Sequence, residues 1–431
     1  MLELSIYTLQ FCNKSHYYAY NSRSNFFSEI SKELYDAFES QNWDSLPDFV
    51  IEELKSKELI CESNSKFDFY YSQLISFNAR NNDRTTLNLV LAPTTACNFA
   101  CPYCFESKKN PKTIDEETID ALAEFVKSHQ DANKVHIHWY GGEPLLAFDK
   151  MEAIYQKLSA EEMPEISSQA ITTNGYCFTD EVIDFFKEKG CDNIQITIDG
   201  LHERHNATRC LKNSPDGTFE TIVANIDKII TQLPETRLNI RVNINKNNYT
   251  DFIDVANFFK AKYPGNKMLS VYPGLIREED ENRRTLCSSS FGTSEKLELN
   301  ELLRTHGFDI SDFPNKSMRG CMMQNTMSYL IGPEGEIYKC WNDIGNLDAV
   351  VGNIKSKDFS NISRYLKYSI QAAPFNDECR QCHAFPICDG GCSYYRYRNM
   401  FENCHFDLCS PYKDKNKLVN ALLSGKLPQQ S

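Results

Sequence analysis

Between Thr85 and about Leu275 the chain alternates strand-like apolar runs with helical patterns, and this alternation limits the folds open to it. The runs are LNLVLAPT, VHIHWYGG, QAITTNG, NIQITIDG, LNIRVNIN and MLSVYPG. Between them lie DEETIDALAEFVKSH, DKMEAIYQKLSA, TDEVIDFFKEKG, FETIVANIDKIITQL and DFIDVANFFKAKY, all with helical periodicity. Strands separated by helices of this length predict a parallel sheet. Six such units without a Gly-x-Gly-x-x-Gly loop favour a barrel or partial barrel over a dinucleotide-binding sheet.

In barrels of parallel strands the chemistry sits at the C-terminal strand ends. The first run leads into TTACNFACPYCFE, where Cys97, Cys101 and Cys104 stand in a Cys-x3-Cys-x2-Cys arrangement. Three thiols on one short loop can hold three corners of an iron–sulfur cube and leave the fourth iron open for another ligand. Structural zinc needs four ligands and favours paired Cys-x2-4-Cys spacings, so the loop fits zinc poorly. The second run ends in Gly141, Gly142, Glu143 and Pro144, the third in Thr172, Thr173, Asn174 and Gly175, and the fourth in Asp199 and Gly200. Polar and glycine residues therefore converge on the face where a cluster would sit, although Asn-Gly and Asp-Gly are also ordinary turn dipeptides.

A chain of 431 residues has room for two or three domains. Its formal net charge of -13 argues against nucleic acid or an anionic membrane as the main partner. No apolar stretch is long enough to span a bilayer, and MLELSIYTLQFCNK lacks the plan of a signal peptide, so a cytoplasmic location is expected. In a reducing compartment, cysteines at motif spacing are metal ligands first. Of the 17 cysteines, Cys12, Cys61, Cys177, Cys191, Cys210 and Cys287 are scattered and read as buried small apolar residues.

Residues 1 to about 84 precede this chemistry. LELSIYTLQF and HYYAYN predict a hairpin, SEISKELYDAFES and LPDFVIEELKSKELI predict helices, and KFDFYYSQLI fits a helix or a strand. Short strands followed by two or three helices fit a small winged-helix-like module, or a plain structural extension. Residues 276 to about 317 read as a polar bridge, with a short helix near EKLELNELLRTHG.

The C-terminal region is rich in cysteine. Cys321 is followed by thirteen residues, Gly335, four residues and Cys340. Then come Cys379-x2-Cys382-x5-Cys388-x3-Cys392, Cys404 and Cys409. One Cys-x2-Cys is often a zinc site, but seven or eight thiols are too many for one zinc and suit two clusters.

The Cys97-x3-Cys101-x2-Cys104 loop, with Tyr103 before its third cysteine and a GGEP segment after the second strand, resembles the radical S-adenosylmethionine (SAM) superfamily. The C-terminal order of cysteines resembles the SPASM domain of radical enzymes that act on peptides and proteins. The resemblance implies a partial (β/α)6 barrel over residues 85–310, a winged-helix-like leader-recognition module over 1–84 and a SPASM domain over 311–431. It implies S-adenosyl-L-methionine as cofactor together with three 4Fe–4S clusters. One cluster would sit on Cys97, Cys101 and Cys104, its open iron chelated by the methionine end of the cofactor.

By the same resemblance, Gly141, Gly142 and Glu143 would line the methionine amino group. Asn174 and Arg209 would be candidates for the ribose and carboxylate, a solvated surface position being the alternative for Arg209. One auxiliary cluster would use Cys321, Cys340 and Cys392, with Cys404 as a fourth ligand or one iron open. The other would use Cys379, Cys382, Cys388 and Cys409, which suits the spacing better than Cys404. The expected activity is maturation of a ribosomally made precursor peptide by a thioether or carbon–carbon crosslink, with the leader on the N-terminal module and flavodoxin or ferredoxin as electron donor. The alternative is formylglycine formation by an anaerobic sulfatase maturase, in which an Asp directly follows the second SPASM cysteine. Here that residue is Trp341, with Asp343 two further on. A non-catalytic Fe–S carrier is disfavoured by the intact thiol triad and GGEP segment.

Overall fold

The computed structural model describes residues 1–104, 110–280, 282, 284–293, 295–317, 320–371 and 374–424. Phe105 and Glu106 at the end of the Cys-loop motif, and Glu281 and Arg283 in the polar bridge, lie outside the described residues.

Six parallel strands form the centre: Thr86–Thr94, Lys134–Gly141, Glu165–Thr173, Asn193–Thr197, Arg237–Ile244 and Leu269–Leu275. Each pairs in parallel with the next, so spatial order equals chain order. Crossovers of one hand between sequential neighbours place all the helices on one face. The other face becomes the inside of a curling sheet, which is the barrel alternative and not the doubly wound one.

Side-chain alternation gives the two faces opposite character. Leu89, Trp139, Ile171, Ile196 and Ile240 point toward the helices and belong to one continuous core. The alternate positions Asn88, His136, His138, Thr172, Asn239 and Asn243 line the inside. Five helices, Glu116–Ser128, Phe148–Leu158, Asp180–Lys189, Phe219–Gln232 and Tyr249–Lys262, cover the apolar face. Asp115 and Thr179 cap the first and third, accepting from Thr118 N and Val182 N.

The sheet continues beyond the barrel. Ser328–Ile331 adds in parallel to the first strand, and Glu336–Tyr338 and Gly352–Asn353 follow antiparallel, giving nine strands in all. The C-terminal cysteine region is thus joined to the barrel by backbone hydrogen bonds, and Val90 and Ala92 pack on Leu330 and Tyr338.

At the N-terminus the expected hairpin is a three-stranded meander, Thr8–Asn13, His16–Asn21 and Phe26–Ile30. The helix expected from Ser28 starts at Lys32, because Ser31 takes an extended conformation and caps it. The next helix, Asp48–Ser56, ends sooner than LPDFVIEELKSKELI implied; Ile60–Glu62 instead pairs with Leu2–Leu4. KFDFYYSQLI resolves as helix, Asp68–Asn81, and the bridge helix is Lys296–Thr305. Among the described residues no helix is long and apolar enough to cross a membrane.

Candidate radical and iron–sulfur site

The first strand shifts register against the second between Leu91 and Thr94, then leaves the sheet as the Cys loop. A glycine pair lets that loop lie directly on the end of the second strand. Gly141 has φ of +116°, and a Cβ on it would stand 2.3 Å from the Thr94 carbonyl; one on Gly142 would stand 2.3 Å from that of Ala96. Gly142 N donates to Thr94 O at 3.1 Å and Glu143 N to Ala96 O at 2.8 Å. On its other side the loop pairs with residues 210–212, through Ala100 N to Cys210 O and Lys212 N to Asn98 O, each 2.9 Å.

Glu143 is fully buried. Its carboxylate accepts from Leu145 N at 3.1 Å, Thr173 Oγ1 at 2.7 Å and Asn174 N at 2.7 Å. It therefore ties the ends of the second and third strands together beneath the loop. Burial pushes its carboxyl above the usual range, against the pull of those donors. Asn174 donates from Nδ2 to Asn98 Oδ1 at 2.7 Å and accepts from Tyr176 N, so it too braces the Cys loop.

Arg209 is not the solvated surface arginine that HERHNATR allowed. It is 8% exposed, donates from Nη1 to Tyr103 Oη at 2.8 Å, and lies over the Phe99 ring. Tyr103, between Cys101 and Cys104, also donates to Asp199 and accepts from Asn243 Nδ2 at 3.3 Å. Asp199 accepts in turn from Asn243 N at 3.1 Å. Through Tyr103 the loop is thus fixed to the ends of the fourth and fifth strands. Arg209 Nε is buried with no hydrogen-bond partner among the described residues, an orphaned cationic donor beside the thiol loop.

Burial pushes the Cys97 thiol up to about 11 and raises that of Cys101. Free thiolates are disfavoured there, whereas metal binding deprotonates such thiols outright. A three-thiol loop beside a buried guanidinium whose Nε has no hydrogen-bond partner among the described residues fits an anionic thiolate-ligated cluster and a carboxylate-bearing cofactor.

The C-terminal thiols fall into two sets. Cys321 and Cys340 share an apolar pocket with Met323, Tyr368 and Tyr397, and Cys321 and Cys392 are close enough to bear on the Cys340 thiol electrostatically. Burial raises that thiol far above its ordinary value. Cys404 is buried with Tyr395 and Phe406, against which Cys392 also packs. Cys379, Cys382, Cys388 and Cys409 together line a separate cavity of about 60 Å³, which Cys404 does not line. Arg396 and Lys413 stand at its wall, Lys413 Nζ donating to Cys409 Sγ at 3.6 Å. Four thiols with two cations fit the negative charge of a thiolate-ligated cluster.

Among the described residues no group of three or more His, Cys, Asp or Glu side chains converges on a single metal ion. A cube spreads its irons, so its thiolates stand further apart than one ion's ligands. All 17 cysteines are unpaired. The scattered cysteines correct the expectation of burial: Cys191 alone among them is buried, and Cys12 is exposed, because it faces outward on strand Thr8–Asn13.

Several features were not foreseen from the sequence. A cavity of about 400 Å³ opens on the inner face of the barrel, with Asn88, His136, His138 and Ser168 on one side and Cys321 and Trp341 on the other. Trp341 meets the His138 and Tyr140 rings edge-on at 4.7 and 4.6 Å. His138 Nε2 pairs with Thr172 Oγ1 at 2.9 Å, and burial lowers its pKa to about 4. Asp343 is turned away, its carboxylate accepting from Tyr368 Oη at 3.0 Å. The polar residues Asn88, His136, His138, Ser168 and Thr172 at alternate strand positions were the signal that could have located this cavity.

Residues 91–259 match the model of the Radical SAM superfamily. A GTP 3',8-cyclase of Vibrio parahaemolyticus is 34% identical over 119 residues, 27% of this chain and 34% of that one. A cysteine-type anaerobic sulfatase-maturating enzyme of Clostridium perfringens is 22% identical over 363 residues, 76% of this chain and 95% of that one. The chain spans between 34% and 51% of the length of the curated relatives first matched. Among solved structures, native anSMEcpe with bound AdoMet and Cp18Cys peptide superposes with a TM-score of 0.56 at 20% identity, over 78% of this chain and 97% of that one.

Proposed function

We propose that the chain, whose residues 91–259 match the Radical SAM superfamily, is a peptide maturase that installs a thioether or carbon–carbon crosslink in a ribosomally made precursor peptide. The observation that carries this reading is the N-terminal meander. Among the described residues strand Phe26–Ile30 pairs only with His16–Asn21, so its outer edge is open to an added strand, the way extended peptides are commonly held. Residues 1–84 would hold the leader, 85–310 the radical chemistry and 311–431 the auxiliary groups.

Cys97, Cys101 and Cys104 would hold the radical cluster, and Cys321, Cys340 and Cys392 one auxiliary cluster, with Cys404 or an open iron completing it. Cys379, Cys382, Cys388 and Cys409 would hold the other. When bound, S-adenosyl-L-methionine and its cluster supply a carbon radical that takes a hydrogen atom from the peptide. The chain's own residues fix the geometry. Glu143 and Asn174 brace the loop, Tyr103 and Asp199 anchor it, and Arg209 offers its free Nε to an anionic group. The inner cavity lined by His138 and Trp341 would receive the reacting side chain. The setting would be the reducing cytoplasm, with flavodoxin or ferredoxin as electron donor.

Formylglycine formation is the second reading, favoured by the sulfatase-maturating relative that aligns along 95% of its own length. Against it stand Trp341 after Cys340 and the engagement of Asp343 by Tyr368. Anaerobic incubation with the cofactor and dithionite is expected to yield 5′-deoxyadenosine, and the reconstituted chain to hold about twelve irons, four per cube. No 5′-deoxyadenosine would overturn the radical reading; about four irons would overturn the auxiliary clusters.

A further inference from the structure

A short helix, Ile362–Leu366, runs on into a π-helical turn, Lys367–Gln371, and helix Ser393–Phe401 packs against that turn. On the inward side, Tyr368 and Tyr397 are buried in one apolar pocket with Cys340, against which Cys321 packs. Their rings stand 4.5 Å apart, and the Tyr397 ring lies 5.2 Å from that of Phe401. Phe401 reaches the surface, so a line of three rings joins the thiol pocket to solvent. On the outward side, Ile362, Leu366 and Ile370 recur every four residues along one flank, and Met400 adjoins Phe401. These five apolar side chains are between 37% and 65% exposed. Lys367 links the two elements, its Nζ lying over the Phe401 ring at 4.9 Å.

Exposed apolar side chains gathered in this way mark an interaction face. Charge says what kind of surface would cover it. The chain as a whole carries -13, yet residues 362–371 and 393–401 hold four Lys and Arg and no Asp or Glu. Such a face complements an acidic protein surface. The line of rings says what the partner exchanges, because it ends at thiols that would hold a redox group. We propose that this face docks a small acidic electron-carrier protein, and that Phe401, Tyr397 and Tyr368 lead one electron from it to the pocket of Cys321 and Cys340. The inference rests on the thiol reading above. The reduced carrier loses one electron, the iron–sulfur group those thiols would hold gains it, and no bond or proton changes.

The test uses the full-length, anaerobically reconstituted chain, with a flavodoxin of net negative charge as the probe. Calorimetry gives its Kd at low and high salt, and stopped-flow absorbance follows oxidation of the reduced flavodoxin by the chain. Dithionite serves as a reductant that needs no docking. Lys367→Glu and Ile370→Asp are each expected to raise Kd about ten-fold and slow flavodoxin oxidation, with reduction by dithionite unchanged. Binding to the wild type should weaken with salt, and less steeply to Lys367→Glu. Lys260→Glu, on barrel helix Tyr249–Lys262, should match the wild type. Phe401→Leu keeps the apolar face and breaks the line of rings, so it should slow electron transfer at unchanged Kd; an unchanged rate refutes the path. Wild-type affinity in both Lys367→Glu and Ile370→Asp, or no binding by the wild type itself, overturns the proposal. So does a dimer of the wild-type chain that Ile370→Asp dissociates, which would assign the face to a second copy. A wild-type chain that holds only about four irons refutes the thiol reading itself, a separate outcome.

Discussion

At the scale of single residues, the groups around the Cys loop are mostly braces. Gly142 has no room for a side chain, so Gly142→Ala should push the loop off the second strand. We expect a loss of about 1–3 kcal/mol in stability and of the radical cluster's iron, read by urea unfolding and iron analysis. Unchanged iron would show that the close approach to Ala96 is dispensable. Glu143→Ala leaves three buried donors unsatisfied and should cost a comparable amount, roughly 1–3 kcal/mol. His138 gives a pH signature. Its folded pKa, about 4, lies below the unfolded 6.5, so the stability it contributes is present above pH 6.5 and is lost as pH falls toward 4. The loss amounts to roughly 3 kcal/mol at most. His138→Asn should flatten the fall in unfolding free energy across that window; an equally steep fall would place the effect elsewhere.

At the scale of elements, the N-terminal meander does more than present an edge. Leu9, Phe11 and Tyr20 share a core with Phe313, Ile387, Leu418 and Leu422 from the cysteine-rich end of the chain. Tyr20→Ala should therefore cost about 3–5 kcal/mol and lower the iron bound by the C-terminal thiols. If only peptide affinity changed, the two ends of the chain would be energetically independent. Strands and helices of the barrel were legible because each apolar run alternates on one face and each helix repeats every three to four residues. Phe26–Ile30 escaped notice because FFSEI merges with a helical pattern, and only the extended Ser31 cap separates the two. The added strands Ser328–Ile331, Glu336–Tyr338 and Gly352–Asn353 were hidden by their shortness. Nothing in HERHNATR signals that Arg209 is buried; its partners Tyr103 and Asp199 are 106 and 10 residues away in sequence, and only the curled sheet brings them together.

At the scale of the whole molecule, Cys321 opens on the inner cavity of the barrel, while Cys379, Cys382, Cys388 and Cys409 line a cavity of their own. The cysteine spacing grouped Cys379, Cys382, Cys388 and Cys409, which line that cavity together. The surroundings of the thiols were not readable, because Arg396 and Trp341 take their meaning from elements far apart in the chain. The most direct measurement is the mass of a short peptide encoded beside this gene, after co-expression with the enzyme. Loss of two hydrogens per modified site, with a fragmentation pattern that joins two residues and no hydrazide-reactive aldehyde, is the predicted result. An aldehyde in its place, or an unchanged peptide from an enzyme that still makes 5′-deoxyadenosine, would contradict the assignment as a crosslinking maturase.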